Sequence, residues 1–299
     1  MRDVSAKNST LRTAAASAVL RAAPSTIEAL RTGRVPKADP LIVARVAAIQ
    51  AAKNTPLLIP YCHSVPLDQV TVDFEIRDDS ILVTTTAKAV YKTGVEMEAL
   101  TAAAAAALNL YDLLKPLGDD TMIIECVKLL SKTGGKSALK ISRAWRAAVV
   151  VASDRASRGE MVDDSGPALA DCLRAQGAWV DSVRLTTDDE ASIREAVLSS
   201  LGVDVIVVTG GTGIGPRDVT PEAILPMLDR RLPGVEEHFR SYSQARTPTA
   251  MFSRTLAGTI GKTIILGIPG SPGAVRDAVD ALFPSILHGL GMLQGDGHG

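Results

Sequence analysis

"VDVIVVTGGTGIGPRDVTPEAI", residues Val203 to Ile224, decides the architecture of the second half of this chain. A continuous apolar run, a glycine-rich turn and a helix-forming segment follow in order, with Thr220 as N-cap and Pro221 at the first helical position. "AAVVVAS" and "KTIILGIPG" are further apolar runs that end in small or glycine-rich turns. Helical patterns alternate with these runs, as in "SGPALADCLRAQG", "ASIREAVLSSLG" and "SPGAVRDAVDALFPSILHGL". Strands buried on both faces and alternating with helices predict an α/β, doubly wound, mostly parallel, three-layer domain. The strand–loop–helix junction aims backbone amides and the positive helix end at an anion. Its glycine spacing fits neither the dinucleotide fingerprint nor a Walker A loop. Gly261-Lys262-Thr263 echoes a P-loop, but Leu256 holds the first glycine position and the strand follows instead of preceding.

The first half has a different rhythm. "VARVAAIQAAK" (Val43 to Lys53) sets Val43, Val46 and Ile49 at helical spacing. "VTVDFEI" alternates, with Val70, Val72, Phe74 and Ile76 on one face; "RDDS" is a turn, and "ILVTTTAKAV" completes an antiparallel hairpin. "GVEMEALTAAAAAALNLYDLLKP" is a long helix ended by Pro116, and "TMIIECVKLL" is a further strand. These elements predict an α+β domain, an antiparallel sheet with helices in a ferredoxin-like arrangement. The rhythm changes within the basic "KSALKISRAWRAA", which sets a boundary near residue 142 and domains at 1–142 and 143–299.

A net charge of -1 in 299 residues argues against nucleic-acid and membrane-surface partners, so any anion site is local. Three widely spaced cysteines without a CxxC exclude a disulfide framework or zinc ribbon. The start has no apolar stretch behind its charges, and no apolar run is long enough to span a membrane. These features lead to the expectation of a cytoplasmic protein.

"LIPYCHSVPL" (Leu58 to Leu67) places Cys62 beside His63 between two prolines. Adjacent residues in an extended segment point to opposite sides, which disfavours a nucleophilic dyad. A hydrogen-bonded structural pair and an aimed imidazole both remain. Glu96 and Glu98 fall in the first turn of the long helix, where its dipole favours them. They project roughly 200° apart, so at most one is expected to face any given pocket. Asp112 and Lys115 share a face at i, i+3 and are placed to tune each other, or to form a simple surface pair. "KLLSKTGGKS" offers Lys128, Lys132 and Lys136 around two glycines, a composition suited to phosphate.

Together, "DVSAKNSTLRTAAA", "PKADPLIVARVAAIQAAKNT", "LIPYCHSVPL", "KTGVEMEALTAAAAAALNLYDLLK" and "KTGGKS" resemble cyclic pyranopterin monophosphate synthase, the second enzyme of molybdenum cofactor biosynthesis. The resemblance implies conversion of a cyclised dihydro-GTP intermediate, (8S)-3',8-cyclo-7,8-dihydroguanosine 5'-triphosphate, to cyclic pyranopterin monophosphate and pyrophosphate. It implies acid–base roles for Lys37, Asp112 and Lys115. A pterin site is implied at Cys62, His63, Ser64, Glu96, Met97 and Glu98, with Lys132 and Lys136 near phosphate. Three positions depart from the family pattern: Ala38 where Gly is usual, Asn54 for Arg, and Ser64 for Pro.

"VASDRASRGEMVDDSG", "TGGTGIGPRDVTPE", "PTAMFSR" and "GIPGSPGAV" resemble the molybdopterin adenylyltransferase family, which includes the gephyrin-like amino-terminal domain. The resemblance implies AMP transfer from Mg-ATP to molybdopterin. Thr209, Gly210, Gly211, Thr212 and Gly213 would hold phosphate, with Asp154 and Ser271 bordering the pocket. Asp188 and Asp218 would serve catalysis and Mg²⁺; read without the family, Asp188 is equally a surface helix cap. The expectation is a fusion of two enzymes from one pathway with small-molecule substrates, assembled as a trimer or hexamer. The alternative is a catalytic first half carrying a non-catalytic pterin-binding module.

Overall fold

The computed structural model describes residues 1–135, 144–160, 162–283 and 285–295. The chain divides into two compact units, Met1–Ala138 and Leu139–Gly299.

Unit 1 runs β1 (Thr10–Arg21), α1 (Pro24–Arg31), α2 (Pro40–Lys53), α3 (Thr55–Leu58), β2 (Gln69–Ile76), β3 (Ser80–Tyr91), α4 (Glu96–Leu114) and β4 (Ile123–Thr133). The sheet order is β2-β3-β1-β4 with every pairing antiparallel, the split βαββαβ arrangement of ferredoxin-like folds. The β2–β3 hairpin closes where Arg77 N–H donates to the Ser80 carbonyl at 2.8 Å. Helix α4 gives way after Leu114 to a 3₁₀ turn through Pro116, and Gly118 ends that turn at φ 76°.

Strand β1, "TLRTAAASAVLR", went unrecognised from sequence, yet it is central and pairs along its whole length with β3. Alanine carries little strand signal. Here it serves packing: Ala14, Ala16 and Ala18 are fully buried against Ala99, Ala103 and Ala107 of α4. Helix α2 also differs from its sequence reading. Its buried face is Ala44, Ala48 and Ala52, packed with Ala102 and Ala106, while Val46 is exposed. Close approach of α2 to α4 selects small side chains over the larger valine.

Edge strand β4 carries two bulges, and one of them holds Cys126 at φ 57°. Ile123, Val127, Leu129 and Leu130 along it are exposed.

Unit 2 runs β5 (Trp145–Ala152), α5 (Asp154–Ser157), α6 (Ser165–Ala175), β6 (Ala178–Thr186), α7 (Glu190–Leu198), β7 (Val205–Thr209) and α8 (Thr220–Ile224). It continues with β8 (Arg230–Arg231), α9 (Pro233–Gln244), β9 (Leu256–Ile260), β10 (Thr263–Ile268), α10 (Pro272–Leu282) and α11 (Ser285–Gln294). The sheet order is β6-β5-β7-β10-β9-β8. The first four strands are parallel; β9 and β8 extend the sheet through antiparallel pairings, β9 alone running against the rest. Two apolar layers, one around Leu173, Phe239 and Val275 and one around Ile193, Ile206 and Ile224, form separate clusters in this unit. The mostly parallel sheet expected from the apolar runs is present. No described helix is long and apolar enough to cross a membrane.

Candidate functional site

In unit 1 two clusters form at opposite ends of α4. At its C-terminal end, Asp112 is held between two ammonium groups. Lys115 Nζ lies 2.6 Å from Asp112 Oδ1, and Lys37 Nζ lies 2.9 Å from Oδ2 and 3.1 Å from the Asp112 carbonyl. Hydrogen bonds from Lys115 and then Lys37 hold the Asp112 carboxyl below the ordinary range, and Asp112 in turn pushes Lys115 up. Lys37 reaches this position because Asp39 caps α2, accepting from Leu41 N–H at 2.9 Å and Ile42 N–H at 3.1 Å.

At the N-terminal end, a cavity of about 420 Å³ is lined by Cys62, His63, Glu96, Met97, Glu98 and Lys7, among others. Pro60 sits in a turn closed by Cys62 N–H donating to Ile59 O at 3.0 Å, which sends His63 into this cavity. Ser64 is exposed and does not line it. Both glutamates border the cavity, correcting the expectation of one. The cavity wraps the helix terminus end-on, and the Glu96 carboxylate folds back over Gly94, where a Cβ would lie 1.9 Å from Oε2. Lys132 of β4 pairs with Glu96 at 3.1 Å. Glu98 is buried, and burial raises its carboxyl; burial and then the Glu98 charge raise the Cys62 thiol. A raised thiol fits a packing or hydrogen-bonding cysteine better than a nucleophile. Lys136 lies outside the described residues.

Asp112 sits sixteen residues after Glu96 on one helix, about 24 Å along its axis. One copy therefore keeps its ion-paired cluster and its cavity farther apart than a nucleotide is long.

In unit 2 the glycine loop leaves β7 with Gly210 at φ 103° and Gly211 at φ 60°. A side chain is excluded at Gly210, because its Cβ would lie 2.2 Å from the Ala152 carbonyl. Thr220 is not the N-cap: its hydroxyl donates to the Gly210 carbonyl at 2.8 Å, which ties α8 to the loop. Thr209 is fully buried and donates to Pro269 O, and Gly210 N–H donates to Ile268 O at 3.0 Å. Those two positions stand behind the loop, whereas Gly211, Thr212 and Gly213 face a cavity of about 450 Å³. Asp218 and Ser271 share that cavity, and Ser271 caps α10.

Asp188 does not cap α7, whose cap is its neighbour Asp189. Asp188 instead faces Asp154, and each carboxylate accepts a backbone N–H of the other residue. Burial, then the Asp154 and Asp218 charges, raise the Asp188 carboxyl against the opposing Asp154 N–H and Arg217. Asp188 Oδ1 is buried and has no hydrogen-bond partner among the described residues. No described group of three or more His, Cys, Asp or Glu is placed to hold a metal. An orphaned carboxylate oxygen near a second carboxylate suits Mg²⁺ completed by substrate phosphate and water.

Arg254, at the end of "PTAMFSR", was missed as a site residue. Its Nε donates to Gly213 O at 2.7 Å, its backbone N–H to Thr212 O at 2.7 Å, and its guanidinium also engages Glu222 and the Asp218 carbonyl. Nothing in its local pattern signals this, because every partner lies more than thirty residues earlier.

Comparison with known proteins matches residues 1–135 to the MoaC family and residues 148–288 to a probable molybdopterin binding domain. A "Molybdenum cofactor biosynthesis bifunctional protein" of Chlorobaculum tepidum is 43% identical over 300 residues, covering 100% of this chain and 96% of the relative. One of the same description from Synechococcus elongatus is 36% identical over 321 residues, covering 100% and 99%. A cyclic pyranopterin monophosphate synthase of Corynebacterium efficiens is 48% identical over 137 residues, 46% of this chain and 88% of its own. The chain thus belongs to the bifunctional molybdenum cofactor biosynthesis proteins, a MoaC-family unit fused to a probable molybdopterin binding domain.

Proposed function

We propose that unit 1 converts (8S)-3',8-cyclo-7,8-dihydroguanosine 5'-triphosphate to cyclic pyranopterin monophosphate and pyrophosphate, and that unit 2 adenylylates molybdopterin with Mg-ATP. The first reading is carried by Asp112 held between Lys37 and Lys115. Ring rearrangement and cyclic phosphate closure need protons moved and charge neutralised, with no covalent nucleophile. Asp112 is poised ionised and Lys115 protonated, so the pair offers a base and an acid within one hydrogen bond. His63, Glu96 and Glu98 would orient the pterin, and Lys132 would meet phosphate. The separation of the two clusters along α4 favours a site completed by a second copy, and the exposed apolar residues of edge strand β4 favour association between copies, for which the family resemblance implies multiples of three.

For unit 2 the supporting observation is the orphaned Asp188 oxygen, whose carboxyl feels the Asp218 charge, although Asp188 and Asp154 lie outside the lining of the cavity that Asp218 and the glycine loop border. Asp188 and Asp218 would hold Mg²⁺, which offsets phosphate charge when bound. The Gly211 to Gly213 backbone would cradle the phosphates, and Arg254 would fix the loop. The test mixes the full chain with molybdopterin and Mg-ATP and looks by mass for adenylylated molybdopterin. Pyrophosphate is a poor readout because both proposed reactions release it. Product that vanishes in Asp218→Ala supports the reading; tight pterin binding without product reduces unit 2 to a binding module. Unit 1 is tested by mass detection of the cyclic monophosphate from the cyclised triphosphate, with Lys115→Ala as the inactive control.

A further inference from the structure

The unit 2 cavity extends well beyond its phosphate end. From the glycine loop it runs between α9 and α10, where Arg240 and Ser243 on one helix face Gly273, Ala274 and Asp277 on the other. Arg240 and Ser243 are three apart, and Gly273 and Ala274 lie four and three residues before Asp277, so each set shares one face. Glycine, alanine and serine keep the space between the helices narrow, and Phe252 forms an aromatic border. Such a slot suits a flat heterocycle.

Two polar groups, Ser243 and Asp277, meet at its far end. Ser243 is buried, and its Oγ makes no hydrogen bond of ordinary geometry among the described residues. Asp277 is half-buried close beside it; burial and then the Asp280 charge push its carboxyl up, while Arg246 and the nearby Ser243 hydroxyl, which lies too poorly aligned for a full hydrogen bond, pull it back. The contact between them is a weak one, so the hydroxyl and the desolvated carboxylate both keep hydrogen-bonding capacity that a ligand in the slot can use.

We propose that Asp277 and Ser243 recognise the 2-amino-4-oxopyrimidine edge of the pterin, making Asp277 the residue that selects the ring. That edge presents two adjacent N–H donors, on the ring nitrogen and the exocyclic amine, followed by a carbonyl acceptor. The Asp277 carboxylate accepts both donors, and the Ser243 hydroxyl donates to the carbonyl. Adenine fits this end poorly, because its N1 lone pair would face the carboxylate. The phosphate arm of the pterin then points toward Gly211 to Gly213. The inference rests on the reading of unit 2 as a pterin-binding unit.

The test uses the full-length protein and a fluorescent probe, pterin-6-carboxylate, beside lumazine-6-carboxylate, whose 2-oxo group removes the amine. The native chain should bind the pterin about tenfold or more tightly than the lumazine, since charge-assisted hydrogen bonds are lost. Asp277→Asn should weaken pterin binding by a similar factor and erase the preference, with Mg-ATP binding unchanged. The lumazine comparison needs no variant, so it holds if Asp277→Asn folds poorly. Equal binding of both probes by the native chain overturns the proposal while leaving pterin binding intact. Loss of Mg-ATP binding in Asp277→Asn overturns it in favour of an adenine site. Displacement of the pterin by GTP at equal affinity overturns it in favour of a guanine nucleotide. Failure of the native chain to bind any pterin, molybdopterin included, sinks the underlying reading of unit 2.

Discussion

Asp154 and Asp188 hold each other in place through a reciprocal pair of hydrogen bonds: the Asp154 N–H donates to Asp188 Oδ2 at 2.9 Å, and the Asp188 N–H donates to Asp154 Oδ1 at 2.9 Å. The arrangement fixes two carboxylates side by side and leaves one Asp188 oxygen buried without a hydrogen-bond partner among the described residues. Such strain against folding is worth keeping only where a cation or a proton relieves it.

The pH response follows from the direction of the shift. Asp188 has a folded-state pKa raised above its unfolded value. Between those two values the native state binds the extra proton, so its contribution to stability declines as pH rises through that window. Asp188→Asn should therefore raise Tm at pH 7, with the gain shrinking toward pH 4, and should abolish adenylylated product. Thermal denaturation across that range, with and without Mg²⁺, checks it; an unchanged or lower Tm at pH 7 contradicts the account.

Asp112 shifts the opposite way. Its depressed pKa means that the interaction with Lys115 and Lys37 is fully present above the ordinary carboxylate value and is lost as pH falls through the folded-state value. All three side chains are substantially exposed, so the cluster adds little to stability. Asp112→Asn should leave Tm nearly unchanged while reducing cyclic monophosphate formation by about a hundredfold or more. A large fall in Tm would make the cluster structural.

Complementation tests the 24 Å separation of the two clusters. Lys115→Ala and His63→Ala should each be inactive alone. Refolded together at equal amounts, they should recover about a quarter of native activity, since half the pairings are mixed and each mixed pair holds one intact site of two. No recovery, with mixed assembly verified by mass, would place the whole site within one copy.

Arg254 grips backbone carbonyls of the glycine loop and the Glu222 carboxylate with one planar fork. Lysine has no such fork. Arg254→Lys should raise the KM for ATP by about tenfold or more and leave pterin-6-carboxylate binding unaltered. Steady-state kinetics beside probe fluorescence separates these effects; parallel loss of both would indicate general unfolding of the loop.

The parallel strands of unit 2 were legible in sequence because Val149, Val150, Val207 and Val208 announce burial on both faces. The β2–β3 hairpin was legible because its apolar residues alternate. Strand β1 was not, since Ala14, Ala16 and Ala18 give neither period nor propensity. The inward face of α2 misled for the same reason: hydrophobicity points to Val46, while close packing admits Ala48. At the sites, Lys37, Asp112 and Lys115 do come together, and Asp112–Lys115 follows from helical spacing alone. The clamp of Arg254 and the Ser243–Asp277 end of the cavity depend on distant chain segments meeting, which no local pattern encodes.

The alanine contact between α2 and α4 has a consequence for chemistry. Lys37 stands just before α2 and Asp112 stands on α4, so the distance between ammonium and carboxylate is set by how closely Ala44 and Ala48 let the helices approach. Methyl groups act as the spacer, and missing bulk defines the geometry. A leucine at Ala48 would push the helices apart and strain the core by about 1–3 kcal/mol. On the proposed reading of unit 1 it would weaken proton transfer without touching a charged residue, so the demands of that reaction would reach down to side chains that carry no functional group at all.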